Sequence, residues 1–257
     1  SITAGASPTT LGGTEYLLSS LAVYQDSGVD NRLPLWFLTN TRSLEDGNGV
    51  PDLTSSIVAT EAYGIPSDAR QPGTGTDGVG LAPGGGDINW PLGQCLNLLS
   101  CSNDLLGGTD PNLETITPLA ADDSRMQQVV YANENLWASL GTGISFANGT
   151  TSIGQAYFVL RPQPNRVAPT AYVSEQGYVA NPGVDITYGT VAVTEHGKAI
   201  MSFTATGPSN YPSVGYTFIK PHGVPGDIYI SAPGKGVEDG FTGYLGYGGR
   251  PRWGDYG

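Results

Sequence analysis

Apolar residues recur along this chain in short runs that are rich in β-branched and aromatic side chains. Runs of this length, separated by Gly, Pro, Asn and Asp, are typical of strands rather than helices. The pattern predicts a first group of strands at 14–24, 32–41 and 55–63. It predicts a second group at 125–132, 135–146, 154–162 and 170–179, and a third at 185–195, 199–206, 214–220 and 227–233. The segments "YANENLW" and "TEHGKAI" are predicted to be tight hairpin turns.

The second and third groups resemble each other in the order of their polar and apolar residues. Their starts fall near Arg125 and Asp185, and a similar start occurs near Arg252, at a spacing of roughly sixty residues. Four antiparallel strands repeated in this way predict an all-β fold, a β-propeller of four-stranded blades. A β-sandwich is the competing interpretation. The blade-like units of this single domain, 1–257, are predicted at about 14–63, 125–180 and 185–240, with another beginning at 252.

Residues 64–124 interrupt the strand pattern with a segment rich in Gly, Pro, Asp and Asn. We expect a long inserted loop over one face of the domain, with Trp90 as a contact residue. Cys95 and Cys101 lie close enough in sequence to close a small loop, and a disulfide is favoured over two buried thiols. A metal site is disfavoured because the two histidines lie about a hundred residues away.

Composition narrows the possible partners and the compartment. The chain has 38 Gly, 19 Pro and only 13% charged residues, which suits turns and strands better than helices. Its net charge of −12 disfavours nucleic-acid binding. No apolar run approaches the roughly 20 residues of a membrane span. With the expected disulfide, these features predict a secreted or periplasmic protein, and Ser1 is interpreted as a mature or trimmed start.

Two stretches carry a resemblance to a known family. "YGTVAVTEHGKAIMSFTATGPSNYPSVGYTFIK" and the later "RPRWGDYG" resemble secreted bacterial β-propeller proteins of sialidase-like architecture. In that group an "RWGDY" motif begins the next blade, and most members have no assigned activity. The turn Glu195-His196-Gly197-Lys198 departs from the Asp and Asn usual there. The resemblance implies that the chain covers part of a longer propeller, completed by the same polypeptide or by a neighbouring chain.

Blade starts in such a propeller lie near one mouth of the central channel, so their side chains are expected to converge. The candidates for a ligand site at this mouth are Glu15, Arg125, Asp185, Arg252, Asp255 and Tyr256. Tyr188 is an aromatic neighbour of this set. Carboxylates and guanidinium groups could bind a sugar or a carboxylate there. The alternative is that they form ion pairs between blades.

The motifs favour binding over catalysis. The chain has no G-x-S-x-G, H-E-x-x-H or phosphate-binding loop, and no Asp-box turn of the sialidase kind. We therefore expect a non-catalytic propeller that binds a protein, a glycan or a surface polymer. The alternatives are a structural component of an extracellular assembly and a sialidase-like hydrolase. No catalytic residue, metal or cofactor is predicted, and "LEDGNGVPDL" is interpreted as a surface turn rather than a calcium loop.

Overall fold

A computed structural model describes residues 3–7, 11–23, 28–45, 47, 49–72, 74, 118–220 and 224–238. The described chain consists of antiparallel strands in three sheets, with one short 3-10 turn at Thr41–Leu44. The predicted all-β class is therefore confirmed. The strand groups predicted from the apolar runs correspond to the three sheets.

Sheet 1 contains four consecutive strands. They are β1 (Thr3–Ser7), β2 (Thr14–Leu18), β3 (Val29–Thr39) and β4 (Asp52–Gly64). The sequence pattern did not predict β1, whose "TAGAS" segment has no run of large apolar residues. It also extended β2 to residue 24, whereas the strand ends at Leu18.

Sheets 2 and 3 follow in the same manner. Sheet 2 contains β5 (Gln128–Ala132), β6 (Asn135–Ser145), β7 (Thr151–Gln163) and β8 (Thr170–Val179). Sheet 3 contains β9 (Asp185–Val193), β10 (Ala199–Gly207), β11 (Asn210–Lys220), β12 (Val224–Pro225) and β13 (Tyr229–Ala232). Both β12 and β13 pair with β11.

In each sheet a strand pairs with the next one in the sequence, except that β13 returns to pair with β11. The hairpin between β5 and β6 pairs Ala132 with Asn135. Its two turn residues, Asn133 and Glu134, have φ values of 50° and 59°, as a two-residue turn with the twist of a hairpin requires. The predicted hairpin at "YANENLW" is thus confirmed.

The sheets stack face to face in chain order. The first strand β1 lies against β5, and β9 lies against β5, β6 and β7. At the other edge of the stack, β4 lies against β8 and β8 against β12. Sheet 2 is therefore enclosed between sheets 1 and 3. In the part of the chain that the structure describes, the three sheets do not close into a ring.

Two hydrophobic cores hold this stack together. Alternate residues of a strand point to opposite faces. On β6, Leu136, Ala138 and Leu140 pack against sheet 1, whereas Trp137 packs against sheet 3. On β7, Phe158 likewise faces sheet 1 and its neighbours face sheet 3. Burial on both faces explains why β6 and β7 carry nearly continuous buried runs, as central strands do.

Candidate functional site

A segment that we call the strap, residues 65–72, leaves β4 and crosses the end of sheet 2. Ala69 forms a two-hydrogen-bond bridge with Leu119, with N–O distances of 2.9 and 2.8 Å. Both side chains pack on Ile153 of β7 in a small buried cluster. The strap is thus attached both to the segment that leads into β5 and to sheet 2.

Arg70 of the strap forms a buried ion pair with Asp185, the first residue of β9. Its Nε and Nη2 donate to the two carboxylate oxygens at 2.8 Å, and its backbone N–H donates to Oδ2 at 2.8 Å. The backbone N–H of Ile153 donates to Oδ1 at 3.0 Å. The Asp185 side chain is 1% exposed. The hydrogen bonds with Asp185 are the main reason why the pKa of Arg70 is raised above its ordinary value.

This ion pair borders a cleft between sheets 1 and 2. Nη2 of Arg70 also donates to the Thr151 carbonyl and the Ser152 hydroxyl, both at 3.2 Å, and these two residues line the cleft. The cleft has a volume of about 730 Å³. Its lining residues are Gly28, Val29, Ala62, Tyr63, Gly64, Ile65, Ser67, Thr142, Gly143, Ile144, Ser145, Thr151, Ser152 and Tyr178. None of them is acidic, basic or a histidine.

The inner walls of the cleft are held by hydrogen bonds between the sheets. Tyr178 donates from its hydroxyl to the Ala62 carbonyl, and the Gly64 N–H donates to Thr142 Oγ1 at 2.9 Å. Tyr63 Oη donates to the Arg32 carbonyl at 2.6 Å and accepts from the Leu21 N–H at 2.9 Å. The first two bonds join sheet 1 to sheet 2, and those of Tyr63 join β4 to β3 and to the loop after β2, so the walls of the cleft are held by the chain itself.

The tyrosines of the cleft are neutral at physiological pH. Burial raises the pKa of Tyr63 to about 12 and also raises the pKa of Tyr178. The hydroxyl-bearing residues Ser67, Ser145 and Thr151 are exposed at the rim. The cleft can therefore offer neutral donors, neutral acceptors and apolar surface, but its lining supplies no general acid, general base or charged anchor.

The residues predicted to converge at a channel mouth have different partners in the structure. The carboxylate of Asp185 accepts hydrogen bonds from Arg70 and Ile153, as described above. Arg125 pairs with residues of its own loop, with Nε 2.7 Å from Asp123 Oδ2 and Nη2 3.5 Å from Asp122 Oδ1. Glu15 lies on β2 opposite Leu38, on the face of sheet 1 that points away from sheet 2.

The remaining predicted residues lie outside the described part of the chain. They are Trp90, Cys95, Cys101, Arg252, Asp255 and Tyr256. The disulfide between the two cysteines therefore stays a prediction. Tyr188, predicted as an aromatic neighbour, donates from its hydroxyl to the Ala120 carbonyl at 2.7 Å.

Sequence reasoning missed both Arg70 and the cleft. Arg70 lies in the segment interpreted as an inserted loop, where a single arginine carries no recognisable pattern. The cleft is assembled from small and hydroxyl-bearing residues of separate strands, and no local spacing marks them. The one available signal was the run "TGISFANGTTSIG" around the β6–β7 turn, which supplies Ser145 and Thr151 to the rim.

Comparisons with known protein families, with curated proteins and with solved structures found no match to this chain. Among the residues that the structure describes, no helix has the length and apolar character needed to cross a membrane. The same residues contain no group of three or more His, Cys, Asp or Glu side chains placed to hold a metal ion.

Proposed function

We propose that the chain is part of a β-propeller that binds a neutral carbohydrate in the cleft between sheets 1 and 2, without converting it chemically. The observation that carries the proposal is the character of the cleft, which is preformed, uncharged and rich in hydroxyl groups. Its volume of about 730 Å³ lies within the usual range of small-molecule sites, roughly 300–1,000 Å³.

The propeller part of the proposal is supported by how the sheets stack. Each is built from strands that follow one another in the sequence, and successive sheets pack face to face, with β1 against β5, β4 against β8, and β9 against β5, β6 and β7. That repetition is expected of neighbouring blades. In a β-sandwich, by contrast, two sheets enclose one core. Here, sheet 2 has a core on each of its faces.

The choice of a neutral carbohydrate follows from the lining. Sugars present many hydroxyl groups together with apolar C–H faces, and the cleft presents hydroxyl groups beside the half-buried ring of Tyr178. An anionic ligand is disfavoured because the described residues that line the cleft include no arginine or lysine and the chain carries a net charge of −12. Sialidase-like hydrolysis has less support for the same reason, since its substrate carries a carboxylate.

Placement outside the cell is part of this proposal. It rests on the acidic, lysine-poor composition and on the predicted disulfide between Cys95 and Cys101. A structural role in an extracellular assembly is a second candidate, which the exposed apolar side chains on sheets 1 and 3 favour, namely Leu53, Ile57, Val214 and Phe218.

The proposal is tested by isothermal titration of the intact chain with neutral and sialylated oligosaccharides. The variant Ser145→Trp places a bulky side chain at the rim, and we expect it to weaken neutral oligosaccharide binding by at least about tenfold, which equals about 1.4 kcal/mol. Val167→Trp is the matched control, because Val167 is fully exposed in the β7–β8 loop at the opposite end of sheet 2. Failure of every neutral oligosaccharide to bind, or equal binding by Ser145→Trp, would overturn the proposal.

A further inference from the structure

Sheet 1 presents an apolar face that nothing in the described chain covers. Its inner face packs on sheet 2 through Tyr16, Leu18, Leu35 and Phe37, so the alternating residues point outward. The outward face of sheet 1 carries the apolar side chains of Leu17, Trp36, Leu38, Leu53 and Ile57, together with Glu15 and Ser55. Leu53 and Ile57 are 58% and 57% exposed. The register places Leu17 beside Trp36, Leu38 beside Leu53 and Ile57 beside Pro34, so the apolar side chains form a strip that Glu15 and Ser55 border.

Sheet 3 presents a second uncovered apolar face. Ala199, Met201, Phe203 and Ala205 of β10 pack on sheet 2, so the alternating residues and their neighbours on β11 point outward. The outward face of sheet 3 comprises Ile200, Val214, Tyr216, Phe218 and Tyr229. Tyr216 stacks on Tyr229 with ring centroids 5.3 Å apart and meets Phe218 edge to face at 5.8 Å. Val214 and Phe218 are about half exposed.

The outward face of sheet 3 repeats the face of sheet 2 that receives sheet 3. In sheet 2, Ser139 of β6 pairs in register with Tyr157 of β7, and the Ser139 hydroxyl donates to the Gly189 carbonyl of sheet 3 at 2.8 Å. In sheet 3, Ser202 of β10 pairs in register with Tyr216 of β11 at the corresponding positions. The same serine–tyrosine pair thus stands on a face that is covered and on a face that is uncovered.

The outward face of sheet 1 corresponds to the other face of sheets 2 and 3, the face that packs on the preceding sheet. In the stack, every later sheet turns one face back to the sheet before it. Sheet 2 does so with Leu136, Ala138 and Leu140, and sheet 3 with Met201 and Phe203. The corresponding backward-turned face of sheet 1 is its outward face. The described chain therefore leaves one forward-turned face uncovered, on sheet 3, and one backward-turned face uncovered, on sheet 1. A forward-turned and a backward-turned face pack together twice inside the chain, between sheets 1 and 2 and between sheets 2 and 3.

We propose that two copies of this chain associate head to tail, with the outward face of sheet 3 of each copy covering the outward face of sheet 1 of the other. Such a heterologous contact forms a closed ring when the rotation it imposes returns to the start. The described chain supplies three sheets, and propellers close with roughly four to eight. Two copies bring six of the described sheets together, which lies within that range. The inference rests on the propeller in the proposed function.

A second copy explains both faces better than a ligand does. An exposed carbohydrate platform on Tyr216 and Tyr229 would leave Phe218, Val214 and Ile200 in water beside it. Contiguous apolar surface of this kind is uncommon on monomers and marks protein contacts. A platform on sheet 3 would also leave the strip on sheet 1 unexplained, whereas the head-to-tail contact buries both faces at once.

The first experiment measures the mass of the native chain by light scattering after gel filtration over a range of concentrations. We expect twice the chain mass of 26.7 kDa. Ile57→Asp and Phe218→Asp each place a charge in the proposed contact, and each should raise the dissociation constant of the dimer at least about a hundredfold. Val167→Asp is the control, because Val167 is exposed in the β7–β8 loop, away from both outward faces, and it should remain dimeric. All three positions are exposed in the single chain, so melting curves at low concentration should agree with the native one.

Mixing the two variants tests the head-to-tail geometry. Isotope-labelled Ile57→Asp retains an intact sheet 3 face, and unlabelled Phe218→Asp retains an intact sheet 1 face. Amide signals of β10 and β11 in the labelled chain should therefore shift when Phe218→Asp is added, and not when more unlabelled Ile57→Asp is added. Self-association of Ile57→Asp alone would instead indicate a contact between two sheet 3 faces and would overturn the proposal.

Two further outcomes would overturn it. One is a native chain that stays monomeric at all concentrations. The other is a monomer in which Phe218→Asp lowers the melting temperature, because the face would then be covered within the chain. The carbohydrate titration is read separately: dimerisation without carbohydrate binding contradicts only the proposed function, and carbohydrate binding by a monomer contradicts only this inference.

Discussion

Single polar side chains make much of the contact between the sheets, and Asp185 is the strongest case. Its carboxylate accepts four hydrogen bonds, three from Arg70 and one from Ile153. The sequence singled out Asp185 because a polar residue began a run of strand residues. It could not show that the partner is an arginine 115 positions earlier. A buried carboxylate with four donors acts as a connection between sheets rather than as a free ligand group.

We predict that Asp185→Asn lowers the free energy of unfolding by about 3 kcal/mol or more. The amide cannot neutralise the guanidinium of Arg70, which is four-fifths buried, and its NH₂ group would face other donors. Urea denaturation measures the change. Asp227→Asn is the control, since Asp227 is exposed between β12 and β13, and a change within about 0.5 kcal/mol is expected there. Equal effects of the two substitutions would mean that the Arg70–Asp185 pair contributes nothing in solution.

At the scale of the element, the first strand of sheet 3 is shaped by a bulge. The register between β9 and β10 shifts between the pairs Thr190–Ser202 and Thr187–Thr204, and Tyr188 has a φ of 53°. Gln155 of β7 holds this bulge, because its amide donates to the Ile186 carbonyl at 2.9 Å and accepts from the Gly189 N–H at 3.2 Å. The strand pattern predicted β9 correctly but contained no sign of the bulge, which depends on a side chain of another sheet.

We predict that Gly189→Ala lowers the free energy of unfolding by about 1–3 kcal/mol, the usual cost of overpacking. A Cβ at this position would lie 2.6–2.8 Å from three side-chain atoms of Gln155, so the Gln155 amide would have to leave the bulge. Chemical denaturation checks the size of the loss. The matched control is Gly143→Ala in β6, where a Cβ meets no atom within 4 Å, and its stability should equal or slightly exceed that of the native chain. A Gly189→Ala chain as stable as the control would show that the bulge does not need Gln155.

At the scale of the whole molecule, the strap connects the exit of sheet 1 to the far end of sheet 3. Beyond Arg70, the buried amide of Gln71 donates to the Glu238 carbonyl at 2.7 Å and accepts from the Glu238 N–H at 2.9 Å. Thr206 of β10 adds a hydrogen bond to the Arg70 carbonyl at 2.9 Å. These contacts span all three sheets, so the stack is held at one end by polar contacts as well as by its two cores.

We predict that Gln71→Ala releases the segment after β13. Both backbone groups of Glu238 lose their side-chain partner, so the Glu238 amide should exchange with solvent at least about tenfold faster, corresponding to about 1.4 kcal/mol of local stability. Hydrogen exchange followed by mass spectrometry over residues 233–238 measures this change. Gln163→Ala, at the half-buried end of β7, should leave that exchange unaltered. Unchanged exchange in Gln71→Ala would contradict the connecting role of the strap.

The sequence alone determines the all-β class, most strand positions and the hairpin between β5 and β6. These features depend on local properties, namely the apolar content of runs such as those of β6 and β7 and the turn residues Asn133 and Glu134. Local properties depend only on residues that are close together in the sequence, so the sequence shows them directly. The tertiary structure alone decides that Arg70 meets Asp185, that Gln155 holds the bulge at Gly189, and that hydroxyl groups of β6, β7 and the strap line one cleft. Each of these contacts joins residues far apart in the chain, and the energy of a contact depends on distance in space rather than on separation in sequence.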